Sequence, residues 1–240
     1  MNKVKVEYLF DNSVARIVLD DGKGNVLDTI MMGDLHQLLD EFTDNKDLKL
    51  ITFEGEGKHF SFGASVEEHT KENAAQMLSS FHGLFYKIME LSIPTVAKIS
   101  GQCLGGGLEL ALICNTMFAD KSAFIGQPEI VLGVFPPPAS LLLPLKIGNA
   151  RAEELLITGN SVSADKAKEI GLIAEVFENK EGLNEGVDLW IEKHILPKSA
   201  SSLRFATKTS RTFFNHIMGK FLPQLESMYV NDLMETEDAN

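Results

Sequence analysis

Residues Gly101–Asn115 read GQCLGGGLELALICN. Three consecutive glycines, Gly105, Gly106 and Gly107, run straight into an apolar segment that one carboxylate, Glu109, interrupts. The pattern predicts a strand ending at Ser100, a tight turn, and a helix beginning near Leu108. Glycines at such a turn permit positive φ and let another group come close to the backbone. The first amides of the helix lack partners within it and lie at the positive end of its dipole. A turn of this kind can hold negative charge, including an oxyanion that develops during a reaction. It could equally serve helix–strand packing alone, and three glycines do not separate the two uses.

Two other segments bear on the choice. Gly55–Ser65 reads GEGKHFSFGAS, which places Gly63 and Ala64 in a second small-residue turn after a strand. Two such turns could supply the paired N–H donors that an oxyanion requires. Gly126–Gly133 reads GQPEIVLG, and it sets Glu129 against Ile130, Val131 and Leu132 much as Glu109 is set between Leu108 and Leu110. An acid in apolar sequence is costly unless it points outward, is paired, or is used. Paired carboxylates suit proton transfer around a water or a carbon acid. Burial would raise the pKa of Glu109 and a helix N-terminus would lower it.

Composition limits the alternatives. The chain has 240 residues, 44% of them hydrophobic and 23% charged, as in ordinary globular proteins. Its net charge of -12 disfavours nucleic acid and anionic membrane surfaces as partners. The N-terminal MNKVKVEYLF has no signal-peptide pattern, and no apolar run is long enough to span a bilayer. A cytoplasmic location is expected. Cys103 and Cys114 have no metal or CxxC spacing and read as buried free thiols. His36, His59, His69, His82, His194 and His216 form no HxH or HExxH pattern, so no metal is inferred. No GxGxxG follows the first strand, and neither a P-loop nor a GxSxG elbow is present.

VKVEYLF and VARIVLD alternate across Asp11-Asn12-Ser13 and predict a hairpin. Met31, Leu35, Leu38, Leu39 and Phe42 mark one helix face. LKLITFEG and TVAKIS predict strands around a helix over residues 72–89. NTMFAD, SAFIG and LIAEVF predict further strands, and PEIVLGVFPPPAS reads as a Pro-rich loop. Helices are expected near 141–145 and 150–156, and after Ser163. A helical region from Leu183 onward is broken at Pro197. SLRFATKTSR reads as a solvated helix face. The strand–strand–helix rhythm indicates an α/β fold with a helical C-terminal part.

GKHFSFGAS, GQCLGGGLELALICN and GQPEIVLGVFP resemble, in order and spacing, three motifs of the crotonase (enoyl-CoA hydratase/isomerase) superfamily. The resemblance implies a spiral of ββα repeats over residues 1–190 carrying an acyl-CoA site. It implies a C-terminal helical trimerisation region over 191–240, with homotrimers that commonly pair into hexamers. By the same resemblance the backbone N–H groups of Ala64 and Gly106 would hold the thioester oxygen, and Glu109 and Glu129 would activate water and move protons. Ala64, Ser65, Val66, Glu67, Gly105, Gly106 and Pro136 would line the substrate and its CoA arm. No cofactor is implied, since coenzyme A belongs to the substrate.

The chain departs from the family pattern at Ser65 and Asn115, where Asp is usual, and at Pro136-Pro137-Pro138-Ala139-Ser140, where a Gly-rich loop is usual. FSFGASVEEH, GVFPPPASLLLP and PKSASSLRFA resemble the branch of the superfamily that hydrates conjugated alicyclic dienoyl thioesters in anaerobic aromatic degradation. A general enoyl-CoA hydratase or isomerase, and a non-catalytic binding homologue, are the competing expectations. The family pattern also continues past ETEDAN through a further helical stretch.

Overall fold

The computed structural model describes residues 1–68 and 70–238; His69 lies outside the described residues. β1 (Val4–Leu9) and β2 (Val14–Leu19) form the expected antiparallel hairpin, with Leu9 opposite Val14. Its turn holds Phe10, Asp11 and Asn12 at φ of 53°, 53° and 62°. Asp and Asn tolerate this left-handed region better than most residues.

The helix α1 (Thr29–Glu41) starts where the Asp28 side chain accepts from the Met31 N–H at 2.9 Å. It buries Met31, Leu35, Leu38 and Leu39, the stripe that the spacing predicts. β3 (Leu50–Gly55) follows, then α2 (Ala74–Leu91), which stops at a left-handed Ser92 just ahead of Pro94. Next come β4 (Thr95–Ile99), β5 (Gln102–Leu104) and α3 (Gly106–Leu112). Beyond them lie β6 (Thr116–Asp120), β7 (Phe124–Gly126) and a 3-10 turn over Pro128–Leu132. The chain continues through α4 (Pro137–Ile147), α5 (Asn149–Thr158), β8 (Ser161–Ser163), α6 (Ala164–Glu169) and β9 (Glu175–Phe177). Ser163 caps α6, as expected, by accepting from the Lys166 N–H. Three helices complete it: α7 (Lys180–His194), α8 (Ala200–Ser210) and α9 (Thr212–Asn231). None of the described helices is long and apolar enough to cross a membrane.

The strands make a six-stranded sheet, β1-β2-β3-β4-β6-β9, parallel after the first pair, and a three-stranded sheet, β5-β7-β8. Every residue of β3 and β4 is buried, as for parallel strands covered on both faces. The main core lies on the side of α1, α2, α3 and α4. On the other face α7 packs Leu183, Val187 and Ile191 on Val14, Leu50, Val96 and Phe118. Among these apolar residues Glu54 of β3 pairs with Lys98 of β4 at 2.5 Å and with Arg16 of β2. Burial pushes the Glu54 carboxyl up, but the Arg16 and Lys98 contacts outweigh it and hold the pKa below the usual value.

Two expectations are corrected. Pro136–Ser140 is not a loop: Pro137 and Pro138 open α4. Proline suits the first helical turn, where its missing N–H would have had no intrahelical acceptor. SLRFATKTSR is not wholly a solvated face, because Arg211 is buried and donates to the Ile113 carbonyl at 2.6 Å. The three-residue strands β5 and β8 are too short to show a periodicity in sequence.

Replacing Lys98 with Met leaves one oxygen of buried Glu54 without its cation. Denaturant unfolding should show a loss of about 3 kcal/mol, the low end for breaking a buried pair. An unchanged midpoint would mean that Arg16 alone satisfies Glu54.

Candidate active site

The three glycines make sense one at a time. Gly105 has φ of 52°, and a Cβ there would lie 2.7 Å from Glu129 Oε1. A Cβ on Gly106 would lie 3.1 Å from the Ala64 nitrogen, and one on Gly107 would strike Ser61 at 2.7 Å. A side chain is excluded at Gly107 by Ser61 and disfavoured at Gly105 by its positive φ, and at Gly106 it would crowd Ala64, so the glycines let one turn be packed against another. Gly63 completes the seam: at φ of 103°, its missing Cβ would sit 2.8 Å from the Leu104 carbonyl oxygen.

Backbone bonds hold the seam shut. Leu104 N–H donates to Ser61 at 3.0 Å, Gly105 N–H to Gly126 at 3.0 Å, and Leu27 N–H to Gly63 at 2.9 Å. The Ser61 hydroxyl donates to the Asn25 carbonyl and accepts from the Gly63 N–H. Among the described residues the N–H groups of Ala64 and Gly106 have no acceptor in the protein. Both residues line one cavity of about 300 Å³. Two unspent amides side by side at a helix N-terminus are suited to hold an oxygen that gains negative charge.

Glu109 and Glu129 line the same cavity. Glu109 is buried on α3, and its Oε1 accepts from the Ala139 N–H at 2.9 Å. The prolines explain that donor. Pro136, Pro137 and Pro138 carry no N–H, so Ala139 supplies the first available donor of α4, and it points at Glu109. The bond lowers the Glu109 pKa, but burial and then the neighbouring charge of Glu129 outweigh it, and the pKa stands well above the usual carboxylate value. Burial lifts Glu129 to about 7. With the Gln127 amide turned so that its nitrogen faces Glu129, it donates to both carboxylate oxygens at 2.8 and 2.9 Å. One carboxyl biased toward the acid and one poised near neutrality can exchange protons with a water held between them.

The far end of α3 is also fastened. Arg211 holds the Ile113 carbonyl, and Lys146 Nζ donates to the Cys114 carbonyl at 3.1 Å. Burial, then the Arg211 charge, lowers Lys146 to about 8. Cys103 and Cys114 are buried free thiols, and burial lifts Cys114 to about 11. Asn115 Oδ1 accepts from the Thr95 N–H at 2.9 Å and from its hydroxyl at 3.0 Å, tying the start of β4 to β6.

The remaining expected residues divide. Val66, Gly105 and Pro136 line the cavity with Ala64 and Gly106, whereas Ser65 and Glu67 lie outside its lining. The reading of the sequence missed Gln127, the Ala139 amide, Phe135, Tyr229 and Asp238. Gln127 stood inside a quoted motif, two residues from Glu129, and could have been found. Tyr229 and Asp238 reach the cavity from α9 and beyond, which no local pattern reveals.

Residues 10–239 match the family model described as enoyl-CoA hydratase/isomerase. The chain belongs to that family and is an enzyme of the hydro-lyase type. It is 42% identical to the cyclohexa-1,5-dienecarbonyl-CoA hydratase of Thauera aromatica, over 95% of this chain and 88% of that one. A solved enoyl-CoA hydratase from Bacillus anthracis is 27% identical with a TM-score of 0.83, covering 95% of this chain and 90% of that one. One from Bacillus halodurans, 23% identical, superposes with a TM-score of 0.89 over 99% and 97% of the two chains, a likeness of fold.

The raised pKa of Glu129 carries a stability consequence. A group lifted from 4.5 to about 7 on folding adds stability below pH 4.5 that is lost as pH rises through about 7. Glu129→Gln should therefore be more stable than the parent at pH 8, and the advantage should vanish below pH 4.5. Thermal or urea unfolding across this range checks it; a constant difference at all pH values would show that Glu129 is not desolvated.

Proposed function

We propose that the chain adds water to a conjugated alicyclic dienoyl-CoA, converting cyclohexa-1,5-diene-1-carbonyl-CoA to 6-hydroxycyclohex-1-ene-1-carbonyl-CoA in anaerobic benzoyl-CoA degradation. The observation that carries hydration is the meeting of Glu109, Glu129 and two free amides in one largely apolar cavity. The 42% identity to a cyclohexa-1,5-dienecarbonyl-CoA hydratase favours the cyclic acyl group over a straight chain.

The amides of Ala64 and Gly106 take the thioester oxygen and stabilise the charge that moves onto it as the β carbon is attacked. The glutamate pair removes a proton from water, and oxygen bonds to that carbon. Gln127 holds Glu129 in place by both oxygens. A ring is wider and stiffer than a linear chain, and Pro136 and Pro137 shape one wall of the cavity with side chains of little freedom. Coenzyme A enters and leaves as part of the substrate, and no separate cofactor takes part.

The assembly is a homotrimer, or a pair of trimers. Phe205 on α8 and Phe213 on α9 are 69% and 65% exposed, while Met218 and Leu222 of the same region are buried in the chain's own core. Large aromatic residues exposed this far belong at contacts between copies. Light scattering at micromolar concentration should give a multiple of three chains, and a monomer would overturn this assembly.

Hydration is tested directly by following thioester absorbance with the cyclic dienoyl-CoA and with crotonyl-CoA. The cyclic substrate should have the higher kcat/KM; a preference for crotonyl-CoA would favour a general enoyl-CoA hydratase. Glu109→Gln and Glu129→Gln should each lower turnover by roughly 10²–10⁴-fold while acyl-CoA still binds. Replacing Pro136 and Pro137 together with Gly should lower the ratio of kcat/KM for the cyclic over the linear substrate. An unchanged ratio in the folded variant would place the selector elsewhere.

A further inference from the structure

Tyr229 is a cavity residue to which the two-glutamate scheme gives no task. It is 1% exposed, lines the same cavity as Glu109 and Glu129, and is carried by α9 rather than by the turns that hold the acids. Its ring meets Phe135 edge-on with centroids 5.2 Å apart, which restricts the plane in which the phenol lies.

Chemistry supplies the missing task. Water adds to an ordinary enoyl thioester at two neighbouring carbons, so acids gathered at one end of the site suffice. In the cyclic diene, oxygen bonds to the β carbon, and the displaced electrons run through the thioester-stabilised dienolate to the ring carbon opposite. Hydrogen must arrive there, across the ring from the water. Glu129 is packed on the Gly105 turn and Glu109 is tied to the Ala139 amide. Tyr229 approaches from a different element.

We propose that the Tyr229 phenol is a third proton-transferring group of this site and delivers hydrogen to the ring carbon opposite the point of water attack. This rests on the cyclic dienoyl-CoA reading given above. The steps balance. A water O–H bond breaks, its proton goes to the carboxylate pair, and a C–O bond forms at the β carbon. The phenol O–H bond then breaks as a C–H bond forms at the opposite carbon. The phenolate takes back a proton from the carboxyl pair, so the enzyme is restored and one water has been added. Burial, then the charges of Glu109 and Glu129, push the phenol pKa up, so its proton is in place before each turnover.

The test is Tyr229→Phe in the full chain, assayed with the cyclic dienoyl-CoA. The expected result is a fall in kcat of about 10²-fold, the low end for a general acid, with KM unchanged. A role in packing alone would instead raise KM or lower the unfolding midpoint while kcat held, and that result overturns the proposal. If the Phe variant does not fold, 3,5-difluorotyrosine at position 229 keeps the shape and makes the phenol more acidic. The alkaline limb of kcat should then move to lower pH, and an unmoved limb overturns the proposal. Failure of the unaltered enzyme to hydrate the cyclic dienoyl-CoA overturns the substrate reading. A working enzyme whose Phe variant keeps its kcat overturns the role of Tyr229 alone.

Discussion

Everything in the site depends on two stretches of backbone lying closer together than side chains would allow. The Gly105–Gly107 turn is pressed against Ser61–Ala64 on one side and Glu129 on the other. Remove the closeness and the two free amides part, the carboxylate of Glu129 loses its seat, and α3 no longer starts at the cavity wall. The sheet supplies the force that keeps the turns together. β5, which leads into the Gly105 turn, is bridged through Cys103 to Ser61, and the Leu104 N–H donates to the Ser61 carbonyl, so neither turn can drift without breaking these bonds.

The second constraint is electrostatic. Two carboxyl groups share an apolar cavity, and each makes the other harder to ionise. Stability would favour apolar residues there. The structure offsets only part of the penalty, through the Ala139 amide and the Gln127 side chain. What remains suits the proposed proton transfer, for which a pair that neither keeps nor sheds its protons outright is needed. Contrast Glu54, buried as deeply as Glu109, which Arg16 and Lys98 hold ionised between the strands that they share.

Much of this was legible in sequence. Alternation and turn residues identify the hairpin, the 3.6 period identifies α1 and α2, and the ordered motifs identify the ββα fold. Glu109, Glu129 and the Gly105–Gly107 run stand out because an acid in apolar sequence and consecutive glycines both break local rules, whereas the amides of Ala64 and Gly106 were singled out by the family resemblance. The proline segment was misread because its composition matches loops and helix starts alike. Only the position of Ala139 against Glu109 separates them. Arg211 looked solvated because burial of a cation depends on which carbonyls lie nearby, here those ending α3 from some hundred residues upstream. Tyr229 was invisible for the same reason: nothing near it in sequence is part of the site.

That distance in the chain has a bearing on synthesis. The motifs of the site span residues 61–139, yet the clamp on α3 waits for Arg211 and the cavity wall for Tyr229 and Asp238. Lys71, ahead of α2, pairs with Glu235, beyond α9, at 2.8 Å. A chain emerging from the ribosome therefore has both acids in place about a hundred residues before Tyr229 is added to the cavity wall. A chain cut before α9 would retain the family motifs while lacking the part of the cavity wall that Tyr229 and Asp238 form.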